Sequence, residues 1–278
     1  MGIGVFCLKA FKGWFLMEQV PVVIWCGGKG TRLREETEYK PKPMVEVGGK
    51  PMLWHIMKIY SHYGFRNFVL ALGYKGNLIR DYFANYDLMN SNVTLKLGAK
   101  ERVVPLDGHD ERDWNVTLVD TGQEAMTGSR LKRVQKYVGK GTFMATYGDA
   151  VTSQDIRALV DFHKKQQKQG KVATVTGIHP PSRFGELQTD GDSVTAFIEK
   201  PKLNAWVSGG FFVFEQGVFD YLDDSDGCIF EKKPVENLAR DGKLAIFKHE
   251  GFWHSMDTYK DALDLNELWA NKPLWKTW

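Results

Sequence analysis

The sequence has few of the features that mark secreted, membrane-spanning or nucleic-acid-binding proteins. Cysteine is scarce: Cys7, Cys26 and Cys228 are odd in number among 278 residues and show no metal-ligand spacing. They exclude a disulfide framework and a cysteine zinc site, and they suit a reducing cytoplasm. Long apolar runs are missing too. The apolar stretch from Met1 to Leu16 is interrupted by Lys9, Lys12 and Gly13, so it is too short to span a bilayer. It is followed by no convincing small-residue cleavage site. Neither sign of charge dominates: 37 Lys and Arg stand against 34 Asp and Glu, a net +3 that gives no ground for nucleic-acid binding. The one basic cluster, His163-Lys164-Lys165 with Lys168 and Lys171, reads as the solvated end of a helix. The seven histidines form no metal-binding pair at helical spacing. Internal repeats, low-complexity tracts and Pro/Gly/Ser linkers are absent, which favours one compact unit over separate beads.

What is present is an alternation of short β-branched runs with amphipathic segments. Val22–Trp25, Phe68–Ala71, Val116–Val119, Thr142–Tyr147 and Val172–Ile178 read as strands. Between them, Leu53, Ile56, Met57 and Tyr60 recur at helical spacing in a helix that starts at Pro51, where a missing N–H costs nothing. Further helices are expected over Leu78–Phe83, over Arg130–Tyr137 after a Gly128-Ser129 turn, and from Ser153 as N-cap to about Gln169 with Asp155 in the first turn. Shorter β segments follow at Glu186–Thr189, Val194–Ile198 and Gly209–Phe214, and a last helix covers Tyr259–Trp269. The expectation is an α/β fold: a Rossmann-like, mainly parallel mixed sheet flanked by helices, with a smaller β-rich C-terminal part. A ligand should lie at the carboxyl ends of the strands.

The most informative stretch is Gly27-Gly28-Lys29-Gly30-Thr31, followed by Arg32 and Leu33, with Pro41-Lys42-Pro43 downstream. An apolar strand opening into a glycine-rich turn brings bare N–H groups up to a phosphate, and Arg32 and Lys42 add fixed positive charge. A P-loop is excluded because Gly30, not Ser or Thr, follows Lys29. A dinucleotide fingerprint is excluded because Leu33 stands where a small residue is needed. The glycines alone read equally well as a tight surface turn. Thr31-Arg32-Leu33 with the proline-flanked lysine weighs against that.

Gly-Gly-x-Gly-Thr-Arg-Leu with a downstream lysine resembles the signature of the sugar-1-phosphate nucleotidyltransferases. The runs Lys40–Pro51, Trp54–Gly64, Gly73–Gly76, Asp81–Tyr86, Val116–Gly122, Met126–Arg133 and Gly251–Thr258 extend the resemblance from about Val20 almost to the C-terminus. They resemble the branch that joins CTP to α-D-glucose 1-phosphate, giving CDP-glucose and pyrophosphate. The resemblance implies a nucleotide-binding part over about 17–180 and a sugar-binding part over about 181–278, with residues 1–16 as an extension outside the fold. It also implies Mg²⁺ as cofactor, a homo-oligomer, and a role in polysaccharide or O-antigen biosynthesis.

Residue by residue, the resemblance assigns Arg32 and Lys42 to catalysis. Nucleotide binding falls to Cys26, Gly27, Gly28, Lys29, Gly30, Thr31, Arg32, Lys42, Thr127, Gly128, Arg130 and Gly148. Sugar-phosphate binding falls to Glu199, Lys200, Ser208 and Gly209, and the metal to Asp149 and Asp257. This set suits displacement at an α-phosphorus, where the attacking sugar phosphate is already an anion and needs no general base. Several positions depart from the family pattern. Trp25 and Cys26 replace leucine and alanine, Ser129 replaces glycine, and Ser208 stands in place of an asparagine that reads the sugar. Ala150 replaces a glycine, which would be strained if the backbone there needed positive φ. Two alternatives stand beside the main reading: the same chemistry with UTP or dTTP, and a catalytically weak module that binds sugar nucleotides.

Residues 1–16 carry no acidic residue, no motif position and no cap, so they have little to bury. A chain starting at Met17 should match the full chain in melting temperature and turnover. A drop in either would show that Phe6, Phe11, Trp14 and Phe15 pack on the fold or on a second subunit.

Overall fold

A computed structural model describes residues 20–100, 103–182 and 184–278, so the expectation for residues 1–16 lies outside it. The strands are β1 (Val22–Cys26), β2 (Glu46–Val47), β3 (Lys50–Pro51), β4 (Asn67–Leu72), β5 (Val93–Leu95), β6 (Val103–Pro105), β7 (Asn115–Asp120), β8 (Phe143–Tyr147) and β9 (Ala150–Thr152). They continue with β10 (Ala173–Ile178), β11 (Glu186–Asp190), β12 (Ser193–Ile198), β13 (Val207–Phe214), β14 (Leu244–Lys248) and β15 (Trp253–Ser255). The helices are α1 (Arg34–Thr37), α2 (Met52–His62), α3 (Gly76–Ala84), α4 (Tyr86–Asn90), α5 (Thr127–Arg133), α6 (Ile156–Gln167), α7 (Lys233–Arg240) and α8 (Tyr259–Asn271).

Among the described residues, seven strands form one sheet in the order β14-β10-β13-β8-β1-β4-β7. β8, β1, β4 and β7 run parallel, as do β10 and β14, while β13 is antiparallel to both of its neighbours. The expected α/β fold with a mainly parallel mixed sheet is therefore what the chain forms.

The β1 sequence explains its central place. All five residues are buried, and they alternate between the two faces. Val22, Ile24 and Cys26 join the core under α2 and α6 with Ile56, Tyr60, Leu159 and Trp275. Val23 and Trp25 join the opposite core with Leu131, Phe143, Phe212 and Phe230. Both faces are thus covered, and the parallel strand ends are left as the open edge. Because β13 is antiparallel, its first residues arrive at that same edge, which is how Ser208 and Gly209 reach the ends of β1 and β8.

Several element boundaries differ from the sequence reading. Asp155, not Ser153, caps α6 by accepting from the Ala158 N–H at 3.0 Å. Ser153 instead accepts from the Phe252 N–H. α5 begins at Thr127 and takes in Gly128 and Ser129, with a separate 3₁₀ turn at Gln135–Tyr137. Pro51 is the residue before α2 and closes the β2–β3 pair. Ala150 lies in β9 and is outside the positive-φ region, so alanine costs no backbone strain there. Thr258 starts α8 with a reciprocal capping box to Asp261. Among the described residues, two hairpins, β5–β6 and β11–β12, pair only with themselves, and the second exposes Leu187, Val194, Phe197 and Ile198. No helix among the described residues is long and apolar enough to cross a membrane.

His55 on α2 is fully buried, with Nε2 donating to the Val47 carbonyl at 2.8 Å and Nδ1 accepting from the Trp275 indole at 3.4 Å. Burial pushes its pKa down to about 4. The unfolded chain takes up this proton near pH 6.5 and the folded chain resists it. Stability should therefore fall as pH drops from about 6.5 towards 4, by up to about 3 kcal/mol. His55→Gln keeps a donor for Val47 but has no proton to gain. Melting temperature measured against pH should be flatter in that variant; equal slopes would show that His55 does not set this dependence.

Candidate active site

Gly27 and Gly28 follow β1 directly, and the next turn is fixed by its own backbone. Gly30 adopts φ +61°, its carbonyl accepts from the Leu33 N–H at 2.9 Å, and Thr37 Oγ1 bonds back to the Gly30 and Leu33 carbonyls. Lys42 is presented by a 3₁₀ turn, Lys42–Met44, between the fixed φ angles of Pro41 and Pro43. Pro43 packs where Gly148 has no side chain: a Cβ there would meet Pro43 Cγ at 2.7 Å and the Trp25 carbonyl at 2.9 Å.

Asp149 leaves the end of β8 and continues into β9. β9 pairs with β15, Ala150 opposite Ser255, and the Met256 N–H donates to the Asp149 carbonyl at 2.8 Å. That pairing sets Asp257 beside Asp149, although 108 positions separate them by number. Lys42 Nζ stands 2.7 Å from Asp149 Oδ2 and 2.9 Å from Asp257 Oδ1, and Arg32 Nη2 is 3.0 Å from the same Asp257 oxygen. Burial alone pushes the Asp257 carboxyl up. Hydrogen bonds and charge from Lys42, with Arg32, outweigh it and hold the carboxyl below its ordinary range. Burial likewise opposes the charge on Lys42, and the two carboxylates overcome it to raise the ammonium pKa.

Two cavities meet at this ion cluster. The first, about 290 Å³, is lined by the Gly27-Gly28 and Gly30–Arg32 backbone, Lys42, Met126, Thr127, Arg130, Gly148 and both aspartates. The second, about 380 Å³, is lined by Arg32, Tyr147, both aspartates, Ser208, Gly209, Glu231, Trp253 and Ser255. One cavity thus offers backbone and cations to a polyanion. Its neighbour offers hydroxyl, carboxylate and indole groups to a polar ligand, and the two share a charged wall.

Not every residue expected at a ligand lies on a cavity wall. Lys29 pairs with Glu124 at 2.8 Å, both side chains exposed. Cys26 is fully buried, and burial raises its thiol pKa strongly. Gly128 packs against the backbone of Cys228, where a Cβ would lie 2.5 Å from Cys228 Sγ, so it serves helix–loop contact rather than the cavity. Thr127 lines the cavity, but its hydroxyl donates to Glu231 at 2.6 Å and accepts from the Phe230 N–H. Arg130 spends its guanidinium on the carbonyls of Gly27, Leu72 and Gly122 and on Thr121 Oγ1, at 2.7 to 3.0 Å. It ties together the loops after β1, β4 and β7. Glu199 and Lys200 line neither cavity. They follow the outlying β12, are more than half exposed, and face each other at 3.8 Å.

The structure adds residues that the sequence did not single out. Glu231 accepts from both Thr127 and the Tyr147 hydroxyl, and Trp253 Nε1 donates to the Gly209 carbonyl at 2.8 Å. Trp253, half-buried against the core under α2 and α6, also forms a wall of the second cavity. No local motif marks Glu231. It reaches the site through a loop whose position depends on contacts with α5, so only tertiary structure reveals it.

The donor set fits a hard divalent cation. Asp149 and Asp257 converge on a single positive centre, the Lys42 ammonium, which stands where such an ion would be shared. His254, Asp261 and Asp264 also approach one another. Asp261, however, is engaged by the Asp257 and Thr258 N–H groups and the Thr258 hydroxyl at the start of α8.

The close approach at Gly148 generates a test. Gly148→Ala should destabilise by about 1–3 kcal/mol through overpacking, a fall of several degrees in melting temperature. Gly28→Ala, whose Cβ meets nothing within 4 Å, should melt like the parent chain. Equal melting of all three would mean that Pro43 and Trp25 yield to a methyl group and do not fix the Lys42 turn.

Comparison with known proteins gives the family and the fold. The chain matches the nucleotidyl transferase family over residues 21–272. It is 50% identical over 261 residues to a glucose-1-phosphate cytidylyltransferase of Salmonella typhi, covering 92% of this chain and 98% of the relative. It is 43% identical over 257 residues to a probable glucose-1-phosphate cytidylyltransferase of Bacillus subtilis, covering 92% and 99%. Among solved structures, a UDP-glucose pyrophosphorylase complexed with UDP-glucose shares the fold, with a TM-score of 0.63 at 13% identity over 91% of this chain and 99% of that one. The chain belongs to the nucleotidyl transferase family.

Proposed function

We propose that this enzyme joins CTP and α-D-glucose 1-phosphate to give CDP-glucose and pyrophosphate. The observation that carries the reading is the ion cluster in which Arg32, Asp149 and Asp257, on the shared wall of two cavities, meet Lys42 on the wall of the first. It occurs in a chain half-identical to a glucose-1-phosphate cytidylyltransferase over nearly the whole length of both. In this reading the triphosphate lies along the Gly27–Arg32 loop, where backbone N–H groups and Arg32 meet the β- and γ-phosphates. Lys42 faces the α-phosphate. The sugar phosphate enters from the second cavity, with Ser208, Glu231 and the Gly209 backbone toward its hydroxyls. Its phosphate oxygen forms a bond to the α-phosphorus as the bond to pyrophosphate breaks, and no proton has to be removed first. The protein's part is to orient two anions in line and to neutralise the leaving charge.

Asp149 and Asp257 would hold Mg²⁺, which when bound supplies charge neutralisation on the phosphate oxygens. Glu199 and Lys200 keep a place in the reading only as sugar-phosphate contacts made from outside the two cavities. Arg130 acts by shaping the loops around the nucleotide. The hairpins β5–β6 and β11–β12, with exposed Leu95, Val103, Leu187 and Phe197, favour a homo-oligomer. The free, buried Cys26 and Cys228 suit the cytoplasm. A nucleotide-activated sugar would serve polysaccharide or O-antigen biosynthesis.

Pyrophosphate release from glucose 1-phosphate, measured with each nucleoside triphosphate in turn, tests the reading. It should require Mg²⁺ and be fastest with CTP, and Asp149→Asn and Asp257→Asn should each lower it by ~10²–10³. Equal turnover with UTP or dTTP would overturn the base assignment. Absence of turnover with every nucleotide would favour a module that only binds sugar nucleotides.

A further inference from the structure

The position between the two carboxylates is held by a side chain of the protein itself. Lys42 Nζ bridges Asp149 and Asp257 at 2.7 and 2.9 Å, and its side chain is only 12% exposed. Its backbone is fixed by the flanking prolines and by the seat of Pro43 against Gly148. Lys42 can therefore leave the carboxylates only by rotating its side-chain bonds, and the first cavity gives it somewhere to go. Arg32 is different. It contacts one oxygen of Asp257 from a glycine-rich loop, and its side chain is 66% exposed.

From this we propose that Lys42 is a built-in counter-ion that competes with the divalent cation for Asp149 and Asp257, and that the triphosphate lifts the competition by drawing the lysine onto its phosphate oxygens. The inference rests on the metal assignment of the preceding section. The ammonium and the cation cannot share the same carboxylate oxygens, because like charges at that distance repel strongly in a partly buried site. The two carboxylates need a positive partner at all times, because burial makes an uncompensated pair costly. A triphosphate offers Lys42 an alternative set of anionic oxygens and frees the aspartates at the same moment. Nucleotide and metal then bind cooperatively, and each raises the affinity of the other by the same factor. Lys42 thus has two tasks in one side chain: contact with the α-phosphate and exclusion of metal when no nucleotide is present.

The test is binding of Mn²⁺ to the full chain, followed by the electron paramagnetic resonance signal of the free ion, without turnover. Without nucleotide, Lys42→Met should bind Mn²⁺ at least tenfold tighter than the parent chain. A non-hydrolysable CTP analogue should tighten Mn²⁺ binding markedly in the parent and much less in Lys42→Met. Melting adds a second readout: Lys42→Met should melt lower than the parent and regain stability when Mn²⁺ is added, to a greater extent than the parent does. Lys42→Gln is expected to behave as Lys42→Met does and serves if the methionine variant is poorly folded. Equal or weaker Mn²⁺ binding by both variants, with binding still abolished by Asp149→Asn, would overturn the competition while leaving the metal assignment standing. Binding that survives Asp149→Asn unchanged would overturn both.

Discussion

Two carboxylates brought to one point in a half-buried site repel each other unless a cation stands between them, and the site is organised around that constraint. The positive partner comes from a segment far away in the chain, since Lys42 precedes Asp149 by 107 positions and Asp257 by 215. Each member is held by its own backbone device: two prolines for the lysine, the exit from β8 for one aspartate, and the β9–β15 pairing for the other. The ion cluster therefore couples an early segment of the chain to its last third. It also ties closure of the small β9–β15 ladder to correct assembly of the large sheet. Loss of the Lys42 charge would leave two partly buried carboxylates side by side without their shared cation, which costs more than losing an ordinary surface ion pair.

Most of the fold was legible because each strand and helix carries its own period. The alternation in Val22–Cys26 and the helical spacing of Leu53, Ile56 and Tyr60 are local signals, and local signals survive in a bare sequence. Pairing partners are not local. The antiparallel entry of β13 into a parallel sheet, the β9–β15 ladder and the two outlying hairpins depend on contacts between distant segments. Caps were misread for the same reason. Ser153 and Asp155 are both good cap residues, and the choice fell to Asp155 because Ser153 is engaged by the Phe252 N–H across the fold.

The site shows the same division more sharply. The glycine loop, Arg32 and Lys42 stand out in the sequence by their chemistry and neighbours, whereas Asp149 and Asp257 are singled out by the family resemblance. Arg130 is singled out by the same resemblance, and on the wall of the first cavity its guanidinium is bonded to backbone carbonyls. An arginine in a motif advertises five donors without saying what accepts them. Glu231 is the converse case. Nothing around it in the sequence is unusual, yet it is the acceptor that orients both the Tyr147 hydroxyl and Thr127. Burial and the nearby Glu231 carboxylate raise the pKa of the Tyr147 phenol.

These two residues show how the cavity keeps its shape at the one edge of the sheet where strands give way to loops. Loops there cannot rely on ladder hydrogen bonds, so their carbonyls need other donors. Arg130 supplies them from α5, answering the ends of β1, β4 and the turn after β7 with one side chain. Glu231 answers from the other side, engaging Thr127 at the start of the same helix. α5 is thus fastened at its start and at its middle, by Thr127 to the loop that lines the second cavity and by Arg130 to the loops after β1, β4 and β7. The geometry separates two features of the site: the ion cluster sets the charge where the two cavities meet, and α5 holds the loops that line them.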